Sequence, residues 1–239
     1  MKLVRYADRP DLRKRRQADL SQLTWPEYMN HNDPGNRYWG RLYTDFPDFQ
    51  VALLDGDELV AEAHAVPVGW DDTLEDLPAG WDDAFVRGMT SERTPTALSA
   101  LAISVLPTRQ GQRLSSRMIE AFKQTARVAG LRAVIAPVRP TWKERYPLIP
   151  IQRYMEWRRE DGAHFDPWIR IHERVGGEII APAPESMLMR APVADWEEWT
   201  GMLFPEDGEY VFPGGLSTLG VRDGVGTHVE PNVWVRHNV

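Results

Sequence analysis

Two side chains that can exchange protons lie close together in an apolar run of the sequence. Glu62 and His64 occur within residues 58–66, where most of the other side chains are apolar. Because alternate residues of a β-strand face the same side, a strand here places both side chains on one face of a sheet. A carboxylate and an imidazole in that position can act as a general base. The same pattern is typical of a solvent-exposed sheet face, so both interpretations stay open.

A second candidate is the turn between an apolar segment and an amphipathic one. Residues 97–106 are apolar and rich in small side chains, which predicts a largely buried strand that Pro107 ends. Residues 112–130 have apolar side chains at helical spacing, and Gly130 ends the predicted helix. These side chains are Leu114, Met118, Ile119, Phe122 and Ala126. The free N–H groups and the dipole of such a helix N-terminus favour a phosphate, although an ordinary polar turn explains the motif alone equally well.

These candidates need a framework of strands and helices, and the rest of the chain predicts one. Residues 49–54 and 58–66 form a hairpin, and residues 131–138 form a buried strand parallel to residues 97–106. Helices are predicted at residues 10–23, 166–175 and 196–200, with another that begins at Trp25 and ends in the turn formers 31–36. Further strands are predicted at residues 178–180, 186–189 and 232–236. This alternation makes the fold class α/β or α+β.

The composition excludes several classes of function. The 239 residues are 42% hydrophobic, enough for a substantial core, and 28 Lys and Arg against 35 Asp and Glu give a formal charge of -7. No dominant basic face is present, so we expect no nucleic-acid partner. Without cysteine there is no disulfide, thiol nucleophile or thiolate-bound metal. No window approaches the roughly 18 apolar residues of a membrane span, so we expect a cytoplasmic protein without a membrane partner.

The remaining motifs of common enzymes are missing as well. Five histidines have carboxylates nearby, but none forms a pair at one-face ligand spacing, so we expect no metal. The five are His64, His164, His172, His228 and His237. No G-x-S-x-G elbow, G-x-x-x-x-G-K-[ST] loop or G-x-G-x-x-G turn occurs, which disfavours hydrolase, ATP-dependent and dinucleotide-dependent activities.

The strand-to-helix turn resembles the acyl-CoA loop of the GNAT superfamily of N-acetyltransferases. Members carry Q/R-x-x-G-x-G/A after a strand that ends in Val-x-Pro, and this sequence reads VLPTRQGQRLSS from Val105. Gln110 falls on the family's Gln or Arg, Arg113 on its first Gly, and Ser115 on its final Gly or Ala. Arg113 costs little if the backbone there is ordinary αR, and Ser115 is small enough to let a phosphate approach.

The resemblance implies how an acyl-CoA binds. In the family, the loop amides and the helix start bind the pyrophosphate, and the preceding strand holds the pantetheine and polarises the thioester carbonyl. The implied co-substrate is acetyl-CoA or another acyl-CoA. The residues implied to contact it are Ile103, Val105, Gln110, Gly111, Gln112, Arg113, Leu114, Ser115 and Ser116.

A second match lies near the end of the predicted helix 166–175. Residues 169–178 resemble the family's Leu-Tyr-Glu-Lys-Leu-Gly-Phe-Glu pattern, and His172 falls on its Tyr. That Tyr commonly protonates the departing CoA thiolate, so His172 is a candidate general acid, since an imidazolium titrates near neutrality. A capped surface histidine is an equally good interpretation.

The family's usual base is missing from its usual place. Members often carry a Glu on the strand before the loop, where this sequence offers only Ser99 and Ser104. The nearest substitutes are Glu62 and His64, which complete the predicted catalytic set. The predicted reaction is direct transfer of an acyl group, acetyl in the first instance, to a small-molecule amine. The alternative is a non-catalytic GNAT-fold protein that binds acyl-CoA or a partner, which the missing carboxylate and the altered loop glycines favour.

The resemblance covers nearly the whole chain and predicts one domain, residues 1–239, with a mixed central sheet flanked by helices. Two polar inserts are expected, near residues 67–96 and 139–165, the first of them a lid or a surface loop. Residues 191–239 exceed what the minimal fold needs. This extension is expected either to cover the acceptor site or to pair across a homodimer.

Overall fold

The computed structural model describes residues 1–14, 20 and 24–239, so most of the helix predicted at residues 10–23 lies outside the described residues. The helices described are α1 (Asp33–Tyr38), α2 (Leu42–Asp45), α3 (Trp81–Thr90), α4 (Leu114–Val128), α5 (Ile151–Tyr154), α6 (Pro167–Arg174) and α7 (Val193–Thr200). The strands described are β1 (Lys2–Arg5), β2 (Gln50–Asp55), β3 (Glu58–Val68), β4 (Ala97–Val105), β5 (Ala133–Val138), β6 (Gly177–Pro192), β7 (Gly208–Tyr210), β8 (Leu219–Arg222) and β9 (Val225–Asn238).

The strands join into one mixed sheet. Their order is β1-β2-β3-β4-β5-β9-β8-β7, and β6 pairs with β9 outside this path. Within the described residues, the pairing of β4 with β5 is parallel and every other pairing is antiparallel. The predicted mixed sheet with flanking helices is therefore confirmed.

The parallel pair opens into a wedge. β4 and β5 pair only from Ala97 opposite Ala133 to Ser99 opposite Ile135, and both strands then continue without pairing to each other. A bulge in β4 adds to this irregularity, because His64 of β3 pairs with Ala102 while the next residue of β3 pairs with Ala100. Bulges of this kind re-aim side chains and backbone groups next to functional sites. The carboxyl ends of β4 and β5 are thus free to border a ligand.

Helix α4 covers one face of the sheet. The five apolar side chains predicted to share a helix face are all buried. Four of them, Leu114, Met118, Phe122 and Ala126, pack against side chains of β2 to β5, including Val60, Leu98 and Val134. Burial of one such stripe is what holds an amphipathic helix on a sheet. It fixes the N-terminus of α4 at the end of β4, next to the wedge.

The turn formers at residues 31–36 end one helical turn, as predicted, and they also begin a helix that was not predicted. A 3-10 turn, Glu27–His31, stops there, and the side chain of Asn32 then accepts a hydrogen bond from Gly35 N at 2.9 Å. Asn as the N-cap with Pro34 in the first turn is a strong helix start. Asn, Asp, Pro and Gly are typical both of turns and of helix N-termini, and only the residues that follow decide which of the two forms.

The segment 67–96 is more than the polar insert that was predicted, because it contains α3. Trp81, Ala84, Phe85 and Met89 of this helix are buried in the main core. Gly80 precedes the helix and lies so close to β6 that a Cβ there would be 2.2 Å from the Cα of Ser186. The acidic side chains of α3, Asp82 and Asp83, made the segment look like a loop in the sequence.

The C-terminal part of the chain lies within the sheet. β6 is one long strand where two were predicted, since its pairing with β9 continues beyond a register shift between Ala183 and Met187. β9 lies between β5 and β8.

The second predicted insert, residues 139–165, holds a 3-10 turn, Lys143–Arg145, and α5. None of the helices in the described part of the chain combines the length and apolarity needed to cross a bilayer.

Candidate active site

A cavity of about 380 Å³ lies at the open end of the wedge. Side chains and backbone of β3, β4, β5, α1, α3 and α6 line it, and its size is in the range typical of small-molecule sites. Its aromatic walls are Trp25, Trp39, Trp81 and Trp168. Among the described residues that line it, four are ionisable: Glu62, His64, Arg139 and His172. The structure therefore brings the three predicted catalytic residues into one cavity, together with an arginine that was not predicted.

Glu62 and His64 are buried in this cavity, so the solvent-exposed interpretation of the pair is wrong. Each is 1% exposed, and their backbones lie opposite Ser104 and Ala102 of β4. Glu62 Oε2 accepts a hydrogen bond from the hydroxyl of Tyr6 at 2.8 Å and lies 3.2 Å from His64 Nε2. A carboxylate and an imidazole thus share one face of β3, as their spacing predicts.

Gln50 orients the imidazole of His64. The amide nitrogen of Gln50 donates to the carbonyls of Phe46 and Ala65 at 2.8 and 2.9 Å, so its Oε1 is the acceptor that faces Ala65 N and His64 Nδ1, each at 3.2 Å. With Nδ1 protonated, the contact between His64 Nε2 and Glu62 is attractive only when a proton lies between them. When the pair takes up one proton, a hydrogen bond forms between His64 Nε2 and Glu62 Oε2, where two lone pairs had faced each other. This favours proton uptake, as a general base requires.

His172 is a buried member of α6, so the surface interpretation of this histidine is wrong. Its side chain is 3% exposed, and its Nδ1 lies 2.9 Å from Nε2 of His237 on β9. The ring of Trp168 packs edge-on against it, with 4.4 Å between the ring centres. Its Nε2 has no hydrogen-bond partner among the residues that the structure describes.

The histidine pair is neutral at neutral pH, contrary to the expected imidazolium. Burial, and then the charge of His237, hold the pKa of His172 well below 6.5. Burial, and then the charge of Lys123, lower the pKa of His237 to about 4. When His237 donates through Nε2, the outer nitrogen of His172 carries a hydrogen. His172 can thus donate a hydrogen bond without being charged.

The predicted acyl-CoA loop has a backbone suited to an anion. Gly111 has φ +79, and Arg113 lies in the left-handed region with φ 59 and ψ 23. The condition that Arg113 be αR is therefore not met, and its backbone takes the conformation that the family's glycine favours. No side chain in the described part caps α4, whose first hydrogen bond runs from Arg117 N to Arg113 O at 3.2 Å. The earlier N–H groups are free to bind a phosphate.

The other residues implied to contact acyl-CoA connect the loop with the cavity. Ile103 lines the cavity, and Val105 ends β4 just before the loop. Leu114, Ser115 and Ser116 form the first turn of α4. Leu114 is buried, and the two serines are half-buried. The loop and the cavity are thus the two ends of one continuous stretch of chain.

Arg139 is the ionisable lining residue that sequence reasoning missed. It directly follows β5, and its Nε donates to Glu230 Oε1. Its Nη2 donates to the hydroxyl of Tyr28 at 3.1 Å and to the carbonyl of Gly214 at 2.5 Å. These partners lie far from Arg139 in the sequence, so no local pattern reveals them. Its position at the end of a buried strand is the one available signal.

Comparison with known proteins identifies the family. No family model matches the sequence. The chain is 30% identical to the arginine N-acetyltransferase avaD of Aspergillus versicolor, over 90% of this chain and 85% of that protein. Its fold matches the loading GNATL domain of CurA from Lyngbya majuscula, with a TM-score of 0.61 and 20% identity, over 99% of this chain and 96% of that one. The GphF GNAT-like decarboxylase in complex with isobutyryl-CoA matches with a TM-score of 0.60 and 19% identity, over 99% and 97%.

The chain belongs to the GNAT superfamily of N-acetyltransferases. The predicted fold, the predicted N-acyltransferase function and the predicted acyl-CoA co-substrate are confirmed. In the described residues, no group of three or more His, Cys, Asp or Glu is arranged to hold a metal ion.

Proposed function

We propose that the protein transfers an acetyl group from acetyl-CoA directly to the nitrogen of a small-molecule amine held in the wedge cavity. One observation carries this proposal: the buried Glu62–His64 pair and the buried His172 line the same cavity from different sides. β3 pairs with β4 on one side of the wedge, whereas α6 packs against β5 and β9 on the other side. A proton acceptor and a hydrogen-bond donor therefore flank the place where the two strands separate.

The loop after β4 fits the pyrophosphate of CoA. The uncapped N–H groups of α4, with the left-handed backbone at Gly111 and Arg113, form a pocket of donors at the positive end of the helix dipole. Acetyl-CoA supplies the activated acyl group as a thioester. We assign its binding to the loop residues 110–116 and to the β4 backbone near Ile103.

Glu62 and His64 act as the general base in this proposal. An amine attacks only after it loses a proton, so a group in the cavity must accept that proton. Glu62 Oε2 and His64 Nε2 lie 3.2 Å apart and hold one proton between them when they are paired. Tyr6 steadies the same carboxylate oxygen through its hydroxyl. The base reaches the amine directly or through one water.

His172 stabilises the departing sulfur as a neutral donor. Its Nε2 has no partner in the described structure, and His237 holds Nδ1 on the other side of the ring. A neutral imidazole whose second nitrogen is held in this way can present an N–H to a developing negative charge. The thiolate then takes its final proton from solvent.

The proposed function is tested by incubating the protein with acetyl-CoA and a panel of small amines, beginning with arginine, which the name of the relative suggests. Thiol release and the mass of the products are measured. We expect release that depends on the amine, with one N-acetylated product for each thiol. Thiol release that yields no acetylated amine contradicts the proposal. Because one structural neighbour is a GNAT-like decarboxylase, carbon dioxide release from a carboxylated acyl-CoA without any amine would point to decarboxylation instead.

Replacing His172 by Phe is expected to lower kcat about 10- to 100-fold, the effect of losing one hydrogen bond to a charged group. The dissociation constant of acetyl-CoA should change little, since the ring lies away from the α4 loop. In the unmodified protein, kcat should not fall as the pH rises from 6.5 to about 8, because the pKa of His172 lies well below 6.5. A fall in kcat over this range that disappears in His172→Phe would instead assign an imidazolium acid.

A further inference from the structure

Arg139 lines the cavity with one guanidinium nitrogen to spare. Its Nε and Nη2 are used by Glu230, Tyr28 and Gly214. Nη1 donates to no residue that the structure describes. It is not a fully buried nitrogen either. The side chain keeps 14% of its surface exposed. Nη1 is therefore an accessible donor on a side chain that borders the cavity.

The guanidinium is held rigidly in its charged form. Burial opposes its charge, but Glu230 and Tyr28 outweigh burial and raise the pKa of Arg139. Glu230 is itself completely buried and lies 2.6 Å from His228 Nε2 through its other oxygen. Because both ends of the Arg139–Glu230 pair are fixed, Nη1 points in one direction without further loss of side-chain entropy.

The cavity thus carries an acidic and a basic side chain on two different walls. Glu62 stands on β3, while Arg139 stands at the end of β5, on the far side of the wedge. Trp39 and Trp81 also line the cavity and stack on each other, with ring centres 6.4 Å apart and planes within 14°. Aromatic faces attract cations. A molecule that has both a cationic nitrogen and a carboxylate matches this arrangement better than a simple amine does.

We propose that Arg139 Nη1 binds the carboxylate of the acceptor, so that the acceptor is an α-amino acid with a cationic side chain and not a carboxylate-free amine. This inference rests on the proposed function. A hydrogen bond from an ionised arginine to a carboxylate is among the stronger ones in proteins. An acceptor without a carboxylate leaves this donor without a charged partner in a cavity lined largely by apolar side chains, which is the condition for strong discrimination.

The first test changes the acceptor and leaves the protein intact. Arginine, argininamide and agmatine share one guanidine, but only arginine has a free carboxylate, and lysine, lysinamide and cadaverine form a parallel series. We expect kcat/KM to be about 10- to 100-fold higher for the amino acid than for either analogue in at least one series. If the carboxylate-free analogues are acetylated as well as the amino acids, the inference is wrong and the proposed function stands. If no amine of either series or of the wider panel is acetylated, both are wrong.

The second test changes the protein. Arg139→Lys keeps a cation beside Glu230 but removes the planar fork. The preference for arginine over agmatine is expected to collapse to within about threefold, while the dissociation constant of acetyl-CoA changes little. Arg190→Lys, on the exposed part of β6, is the matched control. A preference that survives Arg139→Lys contradicts the inference, and if that variant does not fold, the acceptor series alone decides.

Discussion

Glu62→Gln is expected to lower kcat for amine acetylation about 100- to 10,000-fold, the contribution of a positioned general base. The amide has nearly the shape of the carboxylate and can still accept the hydroxyl of Tyr6, which lies 2.8 Å from Oε2 in the structure. It cannot take up a proton, and it cannot hold one with His64. Steady-state kinetics with saturating acetyl-CoA measure the effect, and thermal unfolding checks that the protein still folds.

The control for this variant is Glu178→Gln, which removes an equal charge from an exposed position on β6. Its kcat should match that of the unmodified protein. Acetyl-CoA should bind to all three proteins with similar dissociation constants, because neither position belongs to the α4 loop. If Glu62→Gln retains more than about a tenth of the activity, the carboxylate is not the base, and His64 becomes the residue to replace.

Ser115→Asp is expected to change acetyl-CoA binding and protein stability in opposite directions. Ser115 lies in the first turn of α4, whose N-terminus is capped by no side chain that the structure describes. A carboxylate there competes with the pyrophosphate for those donors and repels it, so the dissociation constant should rise about 10- to 100-fold. Without ligand, the same carboxylate favours the helix dipole by about 0.3–1 kcal/mol, so the unfolding temperature should rise slightly.

Isothermal calorimetry and thermal unfolding measure the two effects. Gln124→Asp, near the far end of the same helix, adds the same charge where the dipole disfavours it, so it should lower the unfolding temperature and leave acetyl-CoA affinity unchanged. Ser115→Ala should weaken binding only slightly. If Ser115→Asp binds acetyl-CoA as tightly as the unmodified protein does, the pyrophosphate does not lie at this helix end.

The local parts of the fold could be predicted from the sequence. The β2–β3 hairpin, the strands β4 and β5 and the helix α4 each depend on a periodicity or a turn within about 20 residues, which a single sequence displays. α3 was not predicted, because its apolar side chains face the core while Asp82 and Asp83 give it a polar appearance. The length of β6 was underestimated because β9, its partner across the sheet, continues beyond the register shift.

Most residues of the site could be predicted, but their burial and their contacts could not. The spacing of Glu62 and His64 places them on one face, yet only the elements that pack over that face decide whether it meets solvent. Likewise, the burial of His172 beside His237 joins two histidines far apart in the chain, and this contact determines the charge of the ring. Arg139 illustrates the limit, since its partners come from residues near 28, 214 and 230.

β9 contributes to both sides of the cavity, and this has a consequence for biosynthesis. Glu230 holds Arg139, and His237 holds His172, so a strand made after β1 to β8 completes two separate parts of the site. A nascent chain on the ribosome can form the β2–β3 hairpin and α4 long before these residues emerge. It cannot align the two groups until residue 237 has left the exit tunnel. The newly made polypeptide therefore stays inactive until β9 has emerged.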